Sequence, residues 1–324
     1  MDNVDIGLFD RDWNNTLYYF MLNADEQIYM RYGGRESQSA DTYLDLNSLE
    51  LALQQGRELH RRYQNGELKK TERPKPLFPR DIPLLVERTL GRGQCVECHL
   101  IGDFQNIQRE QAGSLDKLTY LFRSPDIKTL GIDLDVPKGL AVKDARGAVQ
   151  AAGMKPGDRI AALNGTQVWT FGDLQYYYDK VSRNAEKVEI AVDRGALATL
   201  SVNLPTRWWF TDLRFRQSSV DPRTYFEDRP LSDAEKRSRG LKTDGFASEV
   251  KYVAEFARTM KSHELRVGDI IVAVDGVETD QLANTVNLFI KLRKTPGDAI
   301  TLDILRDGQR MKSRLQTYRM SFRK

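Results

Sequence analysis

Two cysteines and three histidines are all that the 324 residues carry of the side chains most used for redox and metal chemistry, which excludes a disulfide-stapled fold and a histidine-rich metal cage. No apolar run reaches the roughly 18 residues that span a bilayer. The start, Met1-Asp2-Asn3-Val4-Asp5, has neither the basic nor the apolar stretch of a signal peptide. An excess of either charge is missing too: 49 Lys+Arg face 46 Asp+Glu, a net of +3, so no nucleic-acid partner is expected. Catalytic signatures are equally scarce. There is no Gly-x-Ser-x-Gly, the one His-Glu pair, His263-Glu264, runs on into Leu265-Arg266-Val267, and Gly91-Arg92-Gly93 lacks the Gly-Lys-Ser/Thr ending of a phosphate loop, so neither protease nor NTPase chemistry is expected. What remains, 37.1 kDa with 40% hydrophobic residues, suits two or three compact units.

The two cysteines stand together in Cys95-Val96-Glu97-Cys98-His99. A C-x-x-C-H string is the attachment signal of haem c: Cys95 and Cys98 would form the thioethers and His99 would be the iron ligand. The same pair read as a dithiol would exchange with a thiol or disulfide partner, which makes a thiol-disulfide oxidoreductase the alternative. A structural zinc site lacks its fourth ligand. For haem the second axial position has no near donor. Met154 fits a core position, and His60 or His263 would have to come from a distance.

Ahead of that motif, Leu17–Leu22 and Gln27–Tyr32 read as two strands around the turn Asn23-Ala24-Asp25-Glu26. Asn47 to Tyr63 has helical apolar spacing, with Asn47 or Ser48 as N-cap. Leu8-Phe9-Asp10-Arg11-Asp12-Trp13, Met21-Leu22-Asn23-Ala24-Asp25, Ile28 to Arg35 and Ser48-Leu49 resemble the second half of a thioredoxin-like domain of the kind that shares a chain with PDZ modules in bacterial proteins. Lys69-Lys70 and the prolines at 74, 76, 79 and 83 then mark a linker.

The rest of the chain repeats itself. Met154-Lys155-Pro156-Gly157-Asp158-Arg159-Ile160 and Asn164-Gly165 recur as Leu265-Arg266-Val267-Gly268-Asp269-Ile270-Ile271 and Asp275-Gly276, at a constant separation of 111 residues. Each copy continues with a helical stretch, an alternating strand and an Arg before a turn Gly, at Arg194-Gly195 and Arg306-Asp307-Gly308. Gly157 and Gly268 suit a positive-φ turn whose backbone Asp158 and Asp269 can bond, and Asn-Gly and Asp-Gly suit primed hairpin turns.

This order resembles the bacterial PDZ domain. The resemblance implies a groove that takes polypeptide C-termini or extended segments as an added strand, with backbone amides capturing the carboxylate. In the first copy Leu130, Gly131, Ile132, Asp133 and Leu134 are the implied loop and edge strand, and the helix from Phe171 is the facing wall. In the second copy the counterparts are Gly240 and Leu241. The alternative is that a groove is occupied or blocked by packing within the chain.

The expected architecture is therefore α+β: a partial thioredoxin-like unit at 1–66, a linker with the CxxCH segment at 67–126, PDZ-like partly open barrels at 127–205 and 240–324, and a connector at 206–239. The expected function is peptide binding with a redox or haem-bearing CxxCH, with an electron-transfer or thiol partner, or else a purely structural scaffold. Haem c and lasting disulfides place it in the periplasm or another exported location, whereas a complete chain with this N-terminus would be cytoplasmic.

Overall fold

The computed structural model describes residues 2–211, 213 and 216–319. Two compact bodies divide between Gln217 and Ser218.

The first body opens with an antiparallel hairpin of β1 (Tyr18–Leu22) and β2 (Ile28–Gly33), followed by helix α1 (Leu46–Gln64). The helix starts earlier than its apolar spacing suggests because Asp45, not Asn47 or Ser48, is the N-cap; its carboxylate accepts the amides of both those residues. Met30, Tyr32, Ala52 and Leu59 form a small core between hairpin and helix. The proline-rich stretch leads to α2 (Pro83–Arg88), α3 (Cys98–Gln111) and α4 (Lys117–Tyr120).

Next come β3 (Ile132–Leu134), β4 (Val142–Ala145), α5 (Gly147–Ala151), β5 (Arg159–Leu163), β6 (Thr166–Gln167), α6 (Phe171–Asp179), β7 (Lys187–Asp193) and β8 (Leu197–Asn203). The pair β3–β4 adjoins the sheet β6-β5-β7-β8 through the Ala141–Arg159 bridge.

The second body contains β9 (Phe226–Pro230), α7 (Asp233–Ser238), β10 (Ser248–Val253), α8 (Phe256–Thr259), β11 (Ile270–Val274), α9 (Val286–Arg293), β12 (Ala299–Arg306) and β13 (Gln309–Gln316). Its sheet runs β13-β12-β11-β10-β9, the same order as β8-β7-β5-β4-β3.

The repeated residues do the same work in both bodies. Gly157 and Gly268 turn with φ of 90° and 93°. Asp158 accepts the Lys155 amide and Nε and Nη2 of Arg194 at 2.7–2.8 Å; Asp269 accepts the Arg266 amide and Nε and Nη2 of Arg306 at the same distances. Asn164 and Asp275 adopt φ of 46° and 48° in the primed turns, and their side chains accept the amides of Glu189 and Thr301.

One boundary differs from the sequence reading. The second body's edge strand is β9, inside the stretch read as a connector at 206–239, and residues 231–247 with α7 loop out between β9 and β10. Gly240 stands beyond the exposed end of α7 and Leu241 follows it, so neither lies on the edge strand. The longer excursion separates a strand from its partner that is only a short turn away in the first body.

Candidate functional site

In the first body the expected edge is in place. Leu130, Ile132 and Leu134 are buried at 1%, 2% and 5% exposure, and Asp133 is half-buried. Gly131 ends a 3-10 turn at Ile127–Leu130 with φ of 90°, and its amide donates to the Lys128 carbonyl. Asp126 caps that turn by accepting the Lys128 amide at 2.9 Å. Burial pushes its carboxyl above the ordinary range.

The facing wall, α6, is already engaged by the chain itself. Asp173 accepts the Arg31 amide at 2.9 Å, and the Thr170 hydroxyl donates to the Arg31 carbonyl. The Gln175 side chain brackets Arg35, its Oε1 accepting the Arg35 amide at 3.2 Å and its Nε2 donating to the Arg35 carbonyl at 2.8 Å. Beyond Arg35, Glu36 pairs with Lys128, the Ser37 backbone bonds Asp126, and Tyr43 stacks on Phe171. The segment Arg31–Ser37 thus runs from α6 to the turn that precedes Gly131.

Glycine makes this approach possible. A Cβ on Gly172 would stand 2.7 Å from the Arg31 carbonyl oxygen, and one on Gly34, where φ is +132°, would stand 2.3 Å from the Phe171 ring. Arg35 anchors the segment: it is 2% exposed, paired with Asp12, and donates to the Arg123 carbonyl at 2.9 Å. Burial pushes the Asp173 carboxyl up to about 7, against the hydrogen bonds and the Arg31 charge that pull it down.

The second body closes the matching space differently. Asn287, at the position in α9 that Gly172 holds in α6, donates to the Phe226 carbonyl at 3.0 Å and to Asp228 at 2.9 Å. Asp228 in turn accepts the Val286 amide at 2.8 Å, and burial raises its carboxyl. The start of α9 is therefore stitched to the edge strand by side chains.

The cysteines lie apart from these grooves in the sequence and on a different element. Cys98 is the first residue of α3 and accepts from Arg11 Nη2 at 2.8 Å; Cys95 is exposed, and both thiols are free. His99 Nε2 is 2.9 Å from Glu97. Gly91 to Gln94 are exposed as well. A haem slot needs apolar walls over the ring faces, and polar, solvent-facing surroundings of this kind do not fit one. The remote ligands considered for iron are otherwise engaged: His60, exposed on α1, bonds Tyr29 at 2.9 Å, Met154 is buried in the fold at 2% exposure, and His263, in the second body, accepts the Leu265 amide at 3.2 Å. Among the described residues no group of three or more His, Cys, Asp or Glu could hold a metal ion.

No protein-family description and no curated protein matches the sequence. Among solved structures the chain is similar to a decapeptide-bound variant of the HtrA-type protease AlgW, at 19% identity and a TM-score of 0.27 over 41% of each chain. It is similar also to AlgW with a decapeptide, at 15% and 0.26 over 51% of this chain and 56% of that one, and to AlgW with a tripeptide, at 16% and 0.28 over 51% and 60%. The chain thus spans 41–60% of the length of these neighbours. Likeness this slight leaves the fold to be read from the chain's own strand order and turns.

Proposed function

We propose that this chain is a peptide-binding protein built on two PDZ-like bodies, and that the groove of the first holds its own Arg31–Ser37 segment until a partner's chain end displaces it. One observation carries the reading: a polypeptide segment is held against α6, the helical wall of the groove, by the side chains of Asp173 and Gln175, which bond its backbone. The N-terminal hairpin and helix, the part that resembles a thioredoxin-like unit, present that segment.

The test is a titration of C-terminal peptides into the full chain and into Gly34→Val, which forces a Cβ against Phe171. The variant should bind peptides at least tenfold more tightly, with far-UV circular dichroism confirming that the fold survives. A folded variant whose affinity equals that of the parent contradicts the groove assignment.

A second reading concerns Cys95 and Cys98. A guanidinium on Cys98 and its place at the start of α3 are the surroundings of reactive thiols, and they favour thiol exchange over haem attachment. The pair would pass from dithiol to disulfide as a substrate disulfide becomes two thiols. Such chemistry goes with a periplasmic or other exported location. Turnover of a model disulfide that is lost in Cys98→Ser supports this reading; a covalent haem absorption band in protein from the native host would replace it with haem c.

A further inference from the structure

The second body carries a crevice of about 1310 Å³ between the loop around α8 and the β12–β13 hairpin. One position beside it differs between the two bodies. Val142 and Val250 hold the same register, each donating its amide to the carbonyl of the repeated Asp at 2.8 and 2.9 Å. Seven residues on from each stand Val149, wholly buried where α5 packs on β8, and Ala257, the only residue by which α8 is buried. The side chain at this position is smaller in the second body, and its neighbour Phe256 stays 67% exposed.

Strand β13 forms one wall and is the last strand of its sheet. The two-residue turn Asp307-Gly308 pairs Arg306 with Gln309, so the backbone groups of Arg310, Lys312, Arg314 and Gln316 point away from β12. At Gln316 that outward edge is already used: its amide donates to the Ser262 carbonyl at 2.7 Å, and its carbonyl accepts from the Ser262 hydroxyl at 2.8 Å. A rung of strand addition is thus present at one end. The rungs at Lys312 and Arg314 face the crevice, with Met311, 43% exposed, beside them.

Cations predominate around this space: Glu255 and Glu264 also line it, against Arg258, Lys261, Arg266, Arg306, Lys312 and Arg314. Arg258, Lys261 and Arg266 on the loop and Lys312 and Arg314 on the strand have no ion-pair partner among the described residues. Basic residues on an edge strand often serve only to discourage unwanted pairing. That role does not extend to the three cations on the opposite wall, in a chain whose charges otherwise nearly cancel at +3.

We infer that β13 and the α8 loop form a second peptide site, distinct from the strand-helix grooves, which takes an extended acidic segment as an added strand with its carboxylates on these cations and an apolar side chain against Met311. The probe is a fluorescein-labelled peptide of alternating Glu and Leu, titrated into the full chain by anisotropy. Binding should weaken as salt rises and fall at least tenfold in Lys312→Glu/Arg314→Glu and, independently, in Arg258→Glu/Arg266→Glu, both made at exposed positions and checked by thermal melting. Methylating alternate peptide amides should also abolish it. Equal binding by either double variant, by the Gln-for-Glu peptide or by the methylated peptide would overturn the assignment. So would binding confined to an RNA oligonucleotide or to phosphatidylserine vesicles. Gly34→Val, which acts only on the first groove, should leave this binding unchanged, so the two sites fail separately.

Discussion

Asp173 ties the hairpin to α6 through the Arg31 amide, and it does so from complete burial. Its carboxyl is raised to about 7 from an ordinary value of 3.8. The folded state therefore binds this proton more tightly than the unfolded chain does, so its stabilising effect is full below pH about 4 and is lost as the pH climbs towards 7. Melting of the parent and Asp173→Asn across this window should show a decline in the parent that is blunted in the variant; identical profiles would remove Asp173 from this role. Arg35 offers a second residue-scale test. Arg35→Ala leaves Asp12 buried without its partner, and the loss expected in chemical denaturation is about 3–5 kcal/mol.

Among elements, the turn that opens β5 and its twin before β11 are held by the same Asp–Arg clamp. Removing the acceptor in Asp158→Ala or Asp269→Ala should cost each body about 1–3 kcal/mol, because a backbone amide and a guanidinium lose their partner together. A loss in one body and none in the other would mean that the two turns are not equivalent. Gly131 belongs to this scale as well. A Cβ there would lie 2.1 Å from the Arg146 carbonyl oxygen, so Gly131→Val tests whether β3 can pair with β4 and says little about ligand capture. The second position of each helix sets what lies against it, Gly172 in α6 and Asn287 in α9: the glycine admits the Arg31 backbone, and the asparagine reaches across to β9 itself.

At the scale of the whole molecule, the parts legible in the sequence were those set by near neighbours. The Gly-Asp turns, the Asn-Gly and Asp-Gly hairpins and the helix after each were readable because their dihedral demands fall on a few adjacent residues. The bond from Gln175 to Arg35 joins residues 140 apart and the contact of Arg11 with Cys98 joins residues 87 apart, and no local pattern announces either. The pair Gly33-Gly34 after a strand was the one available sign of a close approach. The edge strand of the second body was missed because Phe226–Pro230 is charged and is parted from β10 by an inserted helix.

Amide hydrogen exchange, followed residue by residue in the parent and in Gly34→Val, tests most directly whether Arg31–Ser37 is the ligand of the first groove. The segment and the exposed-face amides of α6 should lose protection together in the variant, while β10 to β13 keep theirs. A segment that loosens while α6 exchanges at the parent's rate would contradict the account.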